Sequence, residues 1–264
     1  MAESKNKDST GKTLLVVLIL CLVCSVVVSG AAVGLKSRQE AQKVLDKQRN
    51  ILSVTGMLQP GMSDAAVMAA FDSQVTPRLL DLKTGTLLDK DPASFNPTLA
   101  ARDPAQNTTL GGDQDPAGIR KRANVVEIYL VRDAQKQLQE IVLPVYGTGL
   151  WSVMHAFVAL GPDGSTVKGI TYYDHGETPG LGGEIENPAW RAQWVGKKLL
   201  DEGGKPAIRI VKGGARQGDE HGVDGLSGAT LTANGVQRSF DFWLGDMGFG
   251  PFLKQVREGA LNNG

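Results

Sequence analysis

The sequence predicts an α+β domain carried behind one apolar N-terminal helix, and three observations predict it. Residues 13–35 hold no charged side chain. Four β-branched runs follow one another at short spacing between residues 125 and 173. Helix-forming stretches fall before and after those runs without the regular strand and helix alternation of a parallel sheet. The 264 residues suffice for a domain with a core and an appendage. Lys+Arg and Asp+Glu balance at 28 each, so the basic excess that marks a nucleic-acid partner is missing and no nucleic-acid role is expected.

In chain order, residues 1–12 form a polar tail and 13–35 a transmembrane helix. At ~1.5 Å per residue that helix is roughly 35 Å long, enough for a bilayer core of about 30 Å. A cleaved signal peptide competes, because Ser29, Gly30 and Ala31 are small, but the apolar run exceeds the ~7–15 residues of a secretory segment. Lys5, Lys7 and Lys12 precede it, whereas Lys36, Arg38, Lys43, Lys47 and Arg49 follow it. That count leans towards a cytoplasmic domain. The only cysteines, Cys21 and Cys24, lie within the apolar run, where small apolar filling explains them. Residues 36–55 continue as a helical stalk, which Gly56, Pro60 and Gly61 end.

Residues 56–264 read as one domain. A short helix at 64–71 precedes a strand near 78–82 and a turn at Thr84 and Gly85. An irregular insertion occupies about 86–122, where Asp, Pro, Asn and Gly occur without periodicity. Strands follow at 125–131, 141–146, 152–160 and 166–173, with short connections that imply antiparallel pairing. A helix at 187–200, a strand at 208–211 and a helix at 229–244 complete the domain.

The chemistry-bearing residues cluster with the glycines, 24 of whose 33 follow residue 140. Neither a dinucleotide fingerprint nor a P-loop occurs. His155, His175 and His221 are the only histidines, and the residues past the apolar run contain no cysteine, so no metal set is expected. Asp219, Glu220, His221 and Asp224 read as a solvated acidic turn. The first cluster is Asp224, Gly225, Ser227, Gly228, Ala229 and Thr230, at the start of the last long helix. Ser227 is placed to cap that helix and Thr230 to lie in its first turn, where free N–H groups favour a phosphate. A serine nucleophile elbow fits less well, because its second glycine is replaced by Ala229 and no parallel sheet precedes it. The second cluster holds His175, Glu177, Thr178, Gly180, Leu181 and Gly182; the third holds Gly149, Leu150, Trp151 and Ser152. Each can be a plain turn, or can lay backbone against a flat ligand.

Taken jointly, the three clusters resemble the covalent-FMN domain family. With the apolar helix and the insertion, the whole chain is similar to the NqrC family of the sodium-translocating NADH:quinone oxidoreductases. The resemblance implies that Thr230 accepts FMN through a phosphoester, installed by a magnesium-dependent flavin transferase with FAD as donor. Asp224, Gly225, Ser227, Gly228 and Ala229 match the remainder of the recognition motif. The isoalloxazine would then lie against the second and third clusters, packed on Leu150, Trp151 and Leu181. No catalytic residue and no metal is implied, only electron relay between a membrane iron centre and the FMN of a neighbouring membrane protein of the complex. Partners would be the other membrane and peripheral subunits of that complex. The resemblance also places the chain in the bacterial inner membrane as a single-pass protein with a periplasmic flavin domain, against the charge count. The homologous flavoprotein of the Rnf ferredoxin:NAD complex and a noncatalytic, membrane-tethered assembly protein are the alternative readings.

Overall fold

The computed structural model describes residues 9–261. The chain divides into two compact units, one ending at Lys47 and one beginning at Gln48. The first is built on a single helix, α1 (Thr10–Val54), whose last turns belong to the second. It begins three residues before the expected start, and residues 1–8 of the expected tail lie outside the described residues. The large apolar side chains from Leu14 to Leu35 are all exposed. No described part of the protein covers them.

The second unit opens with α2 (Asp64–Gln74), where Ser63 accepts the Ala66 N–H at 3.3 Å and so caps the first turn. Strands β1 (Val75–Asp81) and β2 (Thr86–Leu88) form the expected hairpin. The insertion is more ordered than its composition suggests. It holds a helix, α3 (Pro97–Arg102), and a small hairpin of β3 (Asn107–Thr109) and β4 (Lys121–Ala123). Four longer strands then follow: β5 (Val125–Arg132), β6 (Leu138–Thr148), β7 (Val153–Leu160) and β8 (Val167–Asp174).

The main sheet has the order β2-β1-β5-β6-β7-β8, with every neighbour antiparallel as the spacing predicted. Alternation along the strands gives it two buried faces. Ile128, Leu130, Ile141, Leu143, Val145, Ala156 and Val158 share one core with Val236, Phe240 and Trp243 of α5 (Thr230–Trp243). On the opposite face Phe71 of α2 meets Tyr129 edge-on, at 6.3 Å between ring centroids, and Tyr129 meets Phe157 at 5.8 Å. Gly169 lies directly under the Val54 carbonyl, where a side chain would collide.

One expectation fails here, and one pairing was not foreseen. The helix expected at 187–200 shrinks to α4 (Pro188–Ala192). Gly196 takes φ +82° and reverses the chain, after which Lys197 and Lys198 pair along the free edge of β8. The second surprise is a parallel pair, β9 (Arg209–Val211) with β10 (Gly222–Asp224), set apart from the antiparallel sheet. A short α6 (Gly250–Arg257) packs Phe252, Leu253 and Val256 into the same core.

Candidate functional site

The fold brings the three glycine-rich clusters to the N-terminal half of α5. A buried carboxylate joins them. Glu177 is 5% exposed; its Oε1 accepts the N–H groups of Leu150 at 3.0 Å and Trp151 at 2.9 Å, and its Oε2 accepts the Thr232 hydroxyl. Burial pushes its pKa up, but the Thr232 hydroxyl and the amides of Trp151, Leu150 and Ser152 outweigh burial and hold it below the usual value. Both oxygens face protein donors. Glu177 thus clamps the 149–152 loop to α5.

The glycines around it are required by this convergence. A Cβ on Gly149 would lie 2.5 Å from Glu177 Oε1, and one on Gly182 would lie 2.7 Å from Oε2. On α5, a Cβ at Gly235 would come within 2.6 Å of the Thr148 carbonyl. Ser152 also ties loops together, its Oγ accepting the Gly176 N–H at 2.6 Å. His175 Nδ1 accepts the Glu177 N–H at 3.1 Å, and its Nε2 lies 3.1 Å from the Glu186 carboxylate. The Thr178 carbonyl receives the N–H groups of Leu181 and Gly183, a turn that Gly180 permits at φ +74°. What these two loops present outward is apolar: Leu150, Trp151 and Leu181 are 47%, 69% and 46% exposed.

Thr230 opens α5 and is exposed. The cap differs from the expected one. Ala229 occupies the N-cap and no side chain satisfies the first turn, because Gly228 at φ +72° turns the chain one residue earlier and leaves Ser227 outside, exposed. The first-turn N–H groups thus lack a side-chain acceptor. Beside Thr230 lies a cavity of about 490 Å³, walled by Ile210, Lys212, Gly213 and Gly214 on one side and by residues 224–228, Thr230, Ala233 and Asn234 on the other. The 147–152 and 175–183 loops do not line it; the second adjoins it where Leu181 Cδ2 stands 3.3 Å from the Cβ position of Gly228. Asp224 braces this wall from behind, accepting the Ala215 N–H at 2.7 Å and receiving Trp190 Nε1 on its carbonyl at 2.8 Å. Gly225 donates its N–H to the Val211 carbonyl at 2.8 Å.

Sequence reasoning missed Lys212, Gly213, Gly214 and Asn234. The Lys-Gly-Gly step directly after a strand, and an amide four residues beyond Thr230, were the signals available. Elsewhere, Asp219 pairs with Arg209 at 3.0 Å and Glu220 with Lys198 at 2.7 Å. His155 stacks on Tyr146, and burial lowers its pKa despite Asp174.

Comparison with known proteins gives this geometry a family. The FMN-binding domain family matches residues 149–245, a span that holds Thr230 and all three clusters from Gly149 onward. The C subunit of the Na(+)-translocating NADH-quinone reductase from Yersinia pestis is 66% identical over 262 residues, covering 99% of this chain and 98% of the relative. The chain belongs to the NqrC family, the C subunits of the Na(+)-translocating NADH-quinone reductases. A second family member, from Vibrio anguillarum, is 56% identical, with 98% of this chain and 100% of the relative covered. The crystal structure of Shewanella oneidensis NqrC superposes with a TM-score of 0.76 at 40% identity, over 83% of this chain and 100% of that one.

Proposed function

We propose that Thr230 carries FMN through a phosphoester, and that the domain passes electrons through it within a Na(+)-translocating NADH-quinone reductase. Family membership supports the FMN and the electron-carrying role; the exposed Thr230 hydroxyl beside a cavity supports the attachment point. The residues fit the group. About 490 Å³ lies within the ~300–1,000 Å³ usual for small-ligand sites, and Gly213, Gly214, Gly225 and Gly228 contribute no side chain to the lining. When bound, FMN supplies reversible electron transfer. The protein's own groups fix and surround it.

In maturation Thr230 Oγ forms the new P–O bond as the anhydride bond of FAD breaks, AMP leaves and the hydroxyl proton passes to solvent, the step being catalysed by a separate flavin transferase. The uncapped first turn of α5 would favour the phosphate charge that remains. Exposed Leu150, Trp151 and Leu181 offer apolar surface to the ring, while Glu177 sets the height of the loop that presents Leu150 and Trp151. The apolar part of α1 anchors the chain once in the inner membrane with the domain on the periplasmic side. The flanking-charge count does not oppose this strongly, because long domains are translocated largely regardless of charge.

The deciding experiment compares wild type with Thr230→Val after coexpression with the flavin transferase, reading intact mass and flavin fluorescence of the denatured chain. An FMN increment in wild type alone is expected. An unmodified wild type, with the transferase active on a control, removes the assignment. For topology, protease added to spheroplasts should digest the domain, and full protection would overturn the periplasmic placement.

A further inference from the structure

The cavity beside Thr230 is lined by two charged residues, Lys212 and Asp224. Asp224 is already committed, its Oδ1 accepting the Ala215 N–H at 2.7 Å. Lys212 is exposed and, among the described residues, its ammonium has no carboxylate partner. Its backbone, by contrast, is held from two directions. The parallel register sets Val211 against Asp224, and the Cβ position of Gly225 lies 3.6 Å from Lys212 Cα. From α5, Gln237 accepts the Ile210 N–H at 2.7 Å and donates to the Ile208 carbonyl at 3.1 Å. The same helix carries Thr230 and, one turn later on the same face, Asn234, which also lines the cavity. The strand that leads into the cation and the helix bearing the hydroxyl are thus stitched together by one glutamine.

A phosphodiester on Thr230 would keep one negative charge. A compact ammonium with three donors suits such a group, and a charge-assisted hydrogen bond is stronger than a neutral one. We propose that Lys212 is the counter-charge that positions the phosphate on Thr230, with the Asn234 amide as a second donor. This rests on the Thr230 reading and adds a positioning residue to it.

The test uses the full chain coexpressed with the flavin transferase, as wild type, Lys212→Met, Lys212→Arg and the remote control Lys254→Met, with thermal melting to verify folding. Intact mass reports attachment, its time course reports the rate, and ³¹P NMR of the purified folded protein reports the phosphodiester environment. Lys212→Met should acquire FMN roughly tenfold more slowly, the effect of losing one charge-assisted hydrogen bond of about 1.5 kcal/mol. Its ³¹P resonance should move towards that of the denatured holoprotein, Lys212→Arg should restore both readouts, and Lys254→Met should change neither. A Lys212→Met protein with wild-type rate and wild-type resonance overturns the proposal while leaving Thr230 attachment intact. A wild type without the FMN increment instead overturns the Thr230 reading itself, and the Lys212 proposal with it.

Discussion

The two ends of β6 carry the same problem, a carboxylate withdrawn from water, and solve it in opposite ways. Near its start Glu140 is half-buried and its Oε2 has no hydrogen-bond partner; burial pushes its pKa up to about 7, and Lys168 offsets only part of this. Past its other end, Glu177 sits against Gly149 with the Thr232 hydroxyl and backbone amides on its oxygens, and its pKa falls instead. Burial favours the neutral form in both cases. The donors decide the outcome, and they are concentrated where three loops must be held in register.

The largest test of this contrast is Glu177→Ala. It leaves two amide N–H groups and the Thr232 hydroxyl without their acceptor, and should cost about 3–5 kcal/mol, read as a lower urea midpoint. Glu177→Gln, which keeps the shape, should cost less. A midpoint unchanged in Glu177→Ala would mean that the clamp does not matter. Because the folded-state pKa of Glu177 lies below its ordinary value, its stabilisation is present above the ordinary carboxylate range and is lost as pH falls through the folded value. Acid unfolding should therefore be shallower in Glu177→Gln.

The smaller effect lies at the other end and has the opposite sign. Glu140 titrates near 7 in the folded chain against an ordinary 4.5, so the folded state binds the extra proton between those values and stability declines as pH rises through that window. Glu140→Gln should flatten the decline, by about 1 kcal/mol or less because solvent screens a half-exposed group. An unaltered pH profile between 4.5 and 7 would show that Glu140 does not titrate there.

What the sequence disclosed follows the range of the forces involved. Strands β5 to β8 and helix α5 were legible because their apolar periodicity is sustained over eight or more residues. Three-residue β9 and β10 carry no period, so their parallel pairing was not visible. In the insertion, Asn96 caps α3 through the N–H groups of Thr98 and Leu99 with Pro97 at the first helical position, a signal present in the sequence but read as irregular chain. The gathering of the clusters was expected, yet the direction of each side chain was not available. Nothing in the string Gly176, Glu177, Thr178 says that the carboxylate turns inward, and nothing near Ser227 says that Gly228 displaces it from the cap.

The contacts that complete the site are distant along the chain: Glu177 reaches Thr232 across 55 positions, and Trp243 Nε1 reaches the Tyr146 carbonyl across 97 at 2.7 Å. Long loop closures cost chain entropy before any contact offsets it. The hairpins of the sheet can therefore assemble while α5 is still unattached. Until α5 docks, the chain has a sheet and the Thr230 hydroxyl but no cavity, so the docking of α5 is what creates the space beside Thr230.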